Sequence, residues 1–223
     1  LRAVPYSLEY QGELTEMARH LKAAAAATAQ PTLRAFLEKR AAALLSNDYY
    51  DSDIAWMQLD ASIEPTIGPY EVHEDEWFNF KAAFEAFIAL RDDAQTASLA
   101  HLSAEVQGLE NRLPIDPKYR RAQLGSLAPL RVVNVLFAAG DANRGVQTAA
   151  FNLPNDDRIV NAMGSKRVML KNYQQGKFER ALLPVSKVAL AAADQPFVNF
   201  DAFFTHILMH ELMHGLGPQS VGV

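Results

Sequence analysis

Apolar residues in the first 45 positions recur every three or four residues, the spacing of a helix face packed on a core. Residues 7–29 are rich in Ala, Leu, Glu and Met, and Pro31 closes the run. Residues 32–45 place Leu33, Phe36, Leu37, Ala41 and Leu44 on one face, which predicts a second helix. Ser46-Asn47-Asp48 ends it, and Asp51-Ser52-Asp53 offers a cap for a short third one. Residues 63–72 carry β-branched side chains interrupted by Pro65, Gly68 and Pro69, the pattern of an extended segment or edge strand. Residues 75–90 space Trp77, Phe80, Phe84 and Phe87 as an amphipathic helix does, with 94–109 as its antiparallel partner.

The texture changes after Pro114 and Pro117. Residues 130–137 read as a buried strand, 140–145 as a turn and 147–153 as a second strand closed by Pro154-Asn155-Asp156-Asp157. Residues 178–192 read as a helix, and the last helix follows, with Asn199 or Asp201 at its start and Gly215, Gly217 and Pro218 at its end. No internal repeat is visible. The expected class is α+β, mostly helical with a small inserted sheet. A helical region over 1–125 is followed by a sheet-plus-helix region over 126–223.

Composition narrows the function classes. About half of the residues (49%) are apolar, enough for an ordinary globular core, and no apolar run approaches a membrane span. The net charge of −5, with no Lys/Arg cluster, excludes a nucleic-acid partner, so a soluble protein of undetermined compartment is expected. The chain has no cysteine. Any metal must therefore be held by nitrogen and oxygen.

The last predicted helix carries His210-Glu211-Leu212-Met213-His214. On a helix, His-Glu-x-x-His puts two imidazoles one turn apart on one face, where both reach one Zn²⁺, and sets a glutamate beside them to handle the proton of a metal-activated water. Catalytic zinc normally takes three protein ligands. The longer pattern His-Glu-x-x-His-x-x-Gly-x-x-His holds here through Gly217 and then fails, because Ser220 stands where the third histidine belongs. His206 is no substitute. It lies eight residues before His214, roughly 12 Å along a straight helix, and reads as a core or supporting histidine. The third ligand must come from an upstream carboxylate or histidine, or from a longer parent protein, and the second is favoured.

Three ordered segments resemble the dipeptidyl peptidase III family of zinc exopeptidases. Ile67-Gly68-Pro69-Tyr70-Glu71-Val72-His73-Glu74-Asp75 is similar to that family's Gly-Phe-Ile-Glu-Ser-Tyr-Arg-Asp segment, which precedes an aromatic helix. Gly145 through Phe151-Asn152-Leu153-Pro154-Asn155-Asp156-Asp157 is similar to its Gly-Ile-Asn-Ile-Pro-Asn-Tyr-Asp-Asp, and the zinc motif follows. Gly164-Ser165-Lys166-Arg167-Val168-Met169-Leu170-Lys171-Asn172 echoes a further stretch more loosely.

The resemblance implies two lobes around a wide cleft, Zn²⁺ on His210 and His214, Glu211 as general base, and short peptides as substrates, cut after the second residue. Glu71 would pair with the substrate ammonium, with Asn152 and Asn155 directing hydrogen bonds around it. His73 stands where the family has a tyrosine that helps hold the scissile carbonyl, and an imidazole N–H can donate there. Animal members carry a six-residue His-Glu-x-x-Gly-His, so kinship to those is not close. The family's third ligand is a glutamate on a downstream acidic helix, and no such segment precedes Val223, which implies a completing portion beyond it. Alternatives are another zinc-dependent hydrolase, or a peptide-binding protein on a peptidase scaffold.

Overall fold

The computed structural model describes residues 2–72, 82–124, 130–144 and 148–218. The chain opens with four helices, α1 (Tyr6–Glu9), α2 (Gln11–Ala27), α3 (Pro31–Ser46) and α4 (Tyr50–Met57). Strands β1 (Ile63–Glu71) and β2 (Ala83–Arg91) follow, then helices α5 (Asp93–Ser98) and α6 (Ala100–Asn111). Strands β3 (Leu130–Gly140) and β4 (Ala150–Leu153), helix α7 (Asp157–Met163) and strand β5 (Lys166–Leu170) come next. Helix α8 (Lys171–Lys177) runs through a π-turn at Phe178–Leu182 into α9 (Leu183–Ala189), and α10 (Phe200–Met213) is last. The class is α+β, with a five-stranded sheet in the order β1-β2-β3-β5-β4.

Two compact units divide the chain. One gathers residues 1–90, 136–145 and 154–162. Its helices pack as the sequence pattern requires, with Leu14, Ala18, Leu21 and Ala25 of α2 and Leu33, Phe36, Leu37 and Leu44 of α3 buried. Gln30 caps α3 by accepting from Leu33 N at 2.6 Å, Pro31 stands in the first turn, and Asn47 ends the helix in the left-handed region (φ 60°). Asp53 does not cap α4. It lies inside the helix, 2.5 Å from Arg40 Nη2, and both side chains are buried. Trp56 Nε1 donates to Pro65 O at 2.9 Å and ties α4 to β1. Edge strand β1 tolerates its two prolines because one side of the strand needs no ladder donors.

The helix expected over 75–90 is overturned where it can be seen. Residues 73–81 lie outside the described residues, but 83–91 form a strand antiparallel to β1, with Gly68 opposite Glu85 and Ile63 opposite Leu90. Burial alternates with period two: Glu85, Phe87 and Ala89 are buried and their neighbours less so. Pairing with β1 outweighs the helix preference of the alanines.

The second unit gathers residues 91–135, 146–153 and 163–223. Here β3 and β5 are parallel, with Leu130 opposite Arg167, while β4 is antiparallel to β5, with Asn152 opposite Arg167. The core of this unit joins Val106, Leu124, Leu130, Val132 and Met169 to Phe204, Leu208, Leu212 and Leu216. Helix α10 is seated by that last set, spaced four residues apart along one stripe. Among the described residues no helix is long and apolar enough to cross a membrane.

Candidate metal centre

Helix α10 starts where Asn199 Oδ1 accepts from Ala202 N at 2.9 Å, and Phe200 and Phe203 pack their rings on Phe178, each at 5.8 Å. With Phe204, Leu208 and Leu212 turned into the core, His210 and His214 stand exposed on the outer side. Their Nε2 atoms lie 3.1 Å apart, and the rings meet edge to face at 88°. His206, read from the sequence as a core or supporting histidine, is exposed one turn earlier on the same helix, so it is not in the core.

Glu211 is half-buried and turns toward β4. Asn152 Nδ2 donates to Glu211 Oε2 at 2.5 Å, while Asn152 Oδ1 is buried with no hydrogen-bond partner. The ligand atoms of His210, Glu211 and His214 lie within 4.8 Å of one another, the one such group among the described residues. Zinc suits these donors. Two nitrogens about 2.0–2.1 Å from one ion at a tetrahedral angle lie roughly 3.3 Å apart, close to the spacing found here. Arg167, 5% exposed, lies under the same stretch with its Nε donating to Glu211 O at 3.1 Å. Burial lowers its pKa, the Glu211 charge works against that, and Arg121 adds to it.

The other expected site residues that can be seen belong to the first unit. Glu71 ends β1, half-buried, just past a bulge between Pro69 and Glu71. Exposed Asn155 donates to Tyr70 O at 3.4 Å, a long bond beside Glu71. His73 lies outside the described residues. Sequence reasoning passed over Glu85, whose carboxyl is pushed up to about 7 by burial first and by Glu71 and Asp141 next. Read with a period of two, its place between Phe84 and Phe87 would have marked it as an inward-facing acid. Arg167 was passed over too, although Lys166 and Arg167 open a strand buried at all five positions.

Residues 6–219, nearly the whole chain, match the profile of peptidase family M49. The chain belongs to that family. Among solved structures it is similar to dipeptidyl-peptidase III from Corallococcus sp. strain EGB, with 66% identity and a TM-score of 0.92 over 98% of this chain and 41% of that one. It is also similar to dipeptidyl-peptidase III from Caldithrix abyssi, with 51% identity and a TM-score of 0.90 over 96% of this chain and 41% of that one. A protein of Arabidopsis thaliana named Nudix hydrolase 3 is 43% identical over 221 residues, 99% of this chain and 28% of that protein. This M49 chain thus spans less than half the length of each relative. The plant protein's name points to a different hydrolase class, but the segment it shares is the M49 segment carrying His-Glu-x-x-His here.

Proposed function

We propose that this chain carries the metal helix and substrate anchors of a zinc-dependent dipeptidyl peptidase, which releases dipeptides from the N-termini of short peptides. The observation behind this reading is the α10 donor set, with Asn152 bonded to Glu211. His210 and His214 hold zinc, and a carboxylate outside α10 supplies the third ligand, as the family resemblance implies. When bound, the ion acts as a Lewis acid that makes water acidic enough to give up a proton near neutrality. The Glu211 carboxylate accepts that proton and returns it to the departing amine.

Glu71 balances the charge of the substrate's terminal ammonium, which restricts cleavage to the second peptide bond from that end. Asn152 and Asn155 direct hydrogen bonds around the same end without adding charge. His73 donates to the scissile carbonyl as negative charge develops on its oxygen. The test is Glu211→Gln in the natural protein, assayed by dipeptide release and bound zinc. Hydrolysis lost with zinc retained is expected. Hydrolysis unchanged would rule out Glu211 as the base, and a wild type that binds zinc but hydrolyses nothing would leave a peptide-binding protein.

A further inference from the structure

Helix α10 does not end in ordinary α-helical bonds. Gly215 N turns back to Leu212 O at 3.2 Å and Leu216 N to Met213 O at 3.0 Å. This tightening leaves the Glu211 carbonyl without the amide of Gly215, its regular partner four residues on. Arg167 supplies the missing donor through Nε. Arg121 donates to Gly215 O, and the fully buried Glu110 accepts from Gly217 N at 2.7 Å and from Arg121 N at 2.6 Å. Two guanidiniums therefore meet the negative end of the helix that carries both histidines.

Arg167 differs from an ordinary cap in two respects. Its bond falls on the Glu211 peptide group, between the two histidines. Its other end occupies the place of a side chain at residue 215: a Cβ there would sit 1.8 Å from Arg167 Nη2. Gly215 does not have a positive φ, so its backbone would accept alanine. What a side chain at residue 215 would have to displace is the end of the arginine.

We propose that Arg167 is a positioning residue for the metal centre. From β5 it fixes the Glu211 peptide, so that the imidazoles of His210 and His214 keep their spacing before an ion arrives, and Gly215 is the gap that admits it. This rests on the zinc reading above. Groups that orient metal ligands without touching the ion typically change affinity about 10–100-fold when removed, and the same scale is expected here.

The experiment is zinc affinity of the natural protein, measured by competition with a chromophoric chelator at fixed pH. Wild type is compared with Arg167→Met, Gly215→Ala and the double variant, and unfolding of each metal-free protein is followed alongside. Both single variants should bind zinc about 10–100-fold more weakly, and the double variant no more weakly than Arg167→Met alone. Arg167→Lys, which keeps a cation near the carbonyl, should recover part of the loss and serves if Arg167→Met does not fold. Affinity within about twofold of wild type in a folded Arg167 variant would overturn the proposal. So would losses that simply add in the double variant, since Gly215 would then act independently of the arginine. Wild-type protein that binds no zinc would remove the zinc reading itself, an outcome distinct from an unchanged variant.

Discussion

Asn152 Nδ2 and Glu211 Oε2 are joined by a 2.5 Å hydrogen bond across 59 residues of chain. The bond engages one oxygen of the carboxylate beside the histidines; on the function proposed above, the other would serve the reacting water. It uses one of the two N–H groups of Asn152, while the buried Oδ1 of that side chain accepts no hydrogen bond. A hydrogen bond to a charged group contributes about 1.5–3 kcal/mol. Asn152→Ala should therefore lower kcat by about tenfold or more with zinc content unchanged. Asn152→Asp, which sets a second carboxylate against Glu211, should be the worse of the two. Steady-state kinetics with metal analysis decide this, and a change confined to KM would assign Asn152 to substrate binding alone.

Metal removal should separate the site from the fold. Helix α10 is seated by Phe204, Leu208 and Leu212, on the side away from the histidines. His210→Ala should therefore lose zinc and hydrolysis while its far-UV circular dichroism stays that of wild type. Chelation of the wild type should abolish activity and added zinc restore it. A collapse of helicity in His210→Ala would show that the metal holds the helix in place.

Glu85 should make stability depend on pH. Its carboxyl sits at about 7 in the folded chain against an ordinary 4.5, raised by burial, then by Glu71 and Asp141. Between those values the folded state holds a proton that the unfolded chain has released, so stability falls as pH rises through this window. The penalty is absent below pH 4.5 and complete above about 7, where it reaches at most about 3 kcal/mol. Glu85→Gln should raise the unfolding midpoint at pH 8 and leave it nearly unchanged at pH 4.5. Equal gains at both values would mean that the residue does not titrate in this range.

The buried pair in the helical unit should be costly to break from one side. Arg40 is 0% exposed, and its Nη2 reaches both Asp53 Oδ1 and Tyr70 Oη at 2.5 Å. Asp53→Ala leaves the guanidinium buried without a counter-charge and should destabilise by about 3–5 kcal/mol. Tyr70→Phe keeps the ion pair, loses the hydroxyl bonds, and should cost closer to about 1 kcal/mol. Urea denaturation of both variants tests the order, and a larger loss for Tyr70→Phe would place the weight on the tyrosine.

What could be read from the sequence was local. The helix period exposed α2, α3 and α10, because each buries one stripe whose spacing is written in consecutive residues. Helix α5 with α6, and the strand pattern of β3, were legible for the same reason. The spacing of His210, Glu211 and His214 was readable because one turn of helix fixes it. Strand β2 was not, since its alanines favour a helix and only pairing with β1 overrides them. Arg167 and Glu110 were hidden for a related reason. Their bonds to α10 span 44 and 107 residues, and nothing in the neighbouring sequence marks a distant partner. Asn152 and Asn155 stood out only through the family resemblance, because asparagine beside proline otherwise reads as a turn.

Among the described residues, the side chains bonded to α10 and to the turn that follows it come earlier in the chain: Glu110 by 107 residues, Arg121 by 94, Asn152 by 59 and Arg167 by 44. A ribosome therefore delivers the receptor before the element that docks into it. The emerging His-Glu-x-x-His segment meets those partners only after they have been synthesised. On the zinc reading proposed above, a histidine spacing that depends on these partners would be complete only in a chain whose earlier parts have already folded.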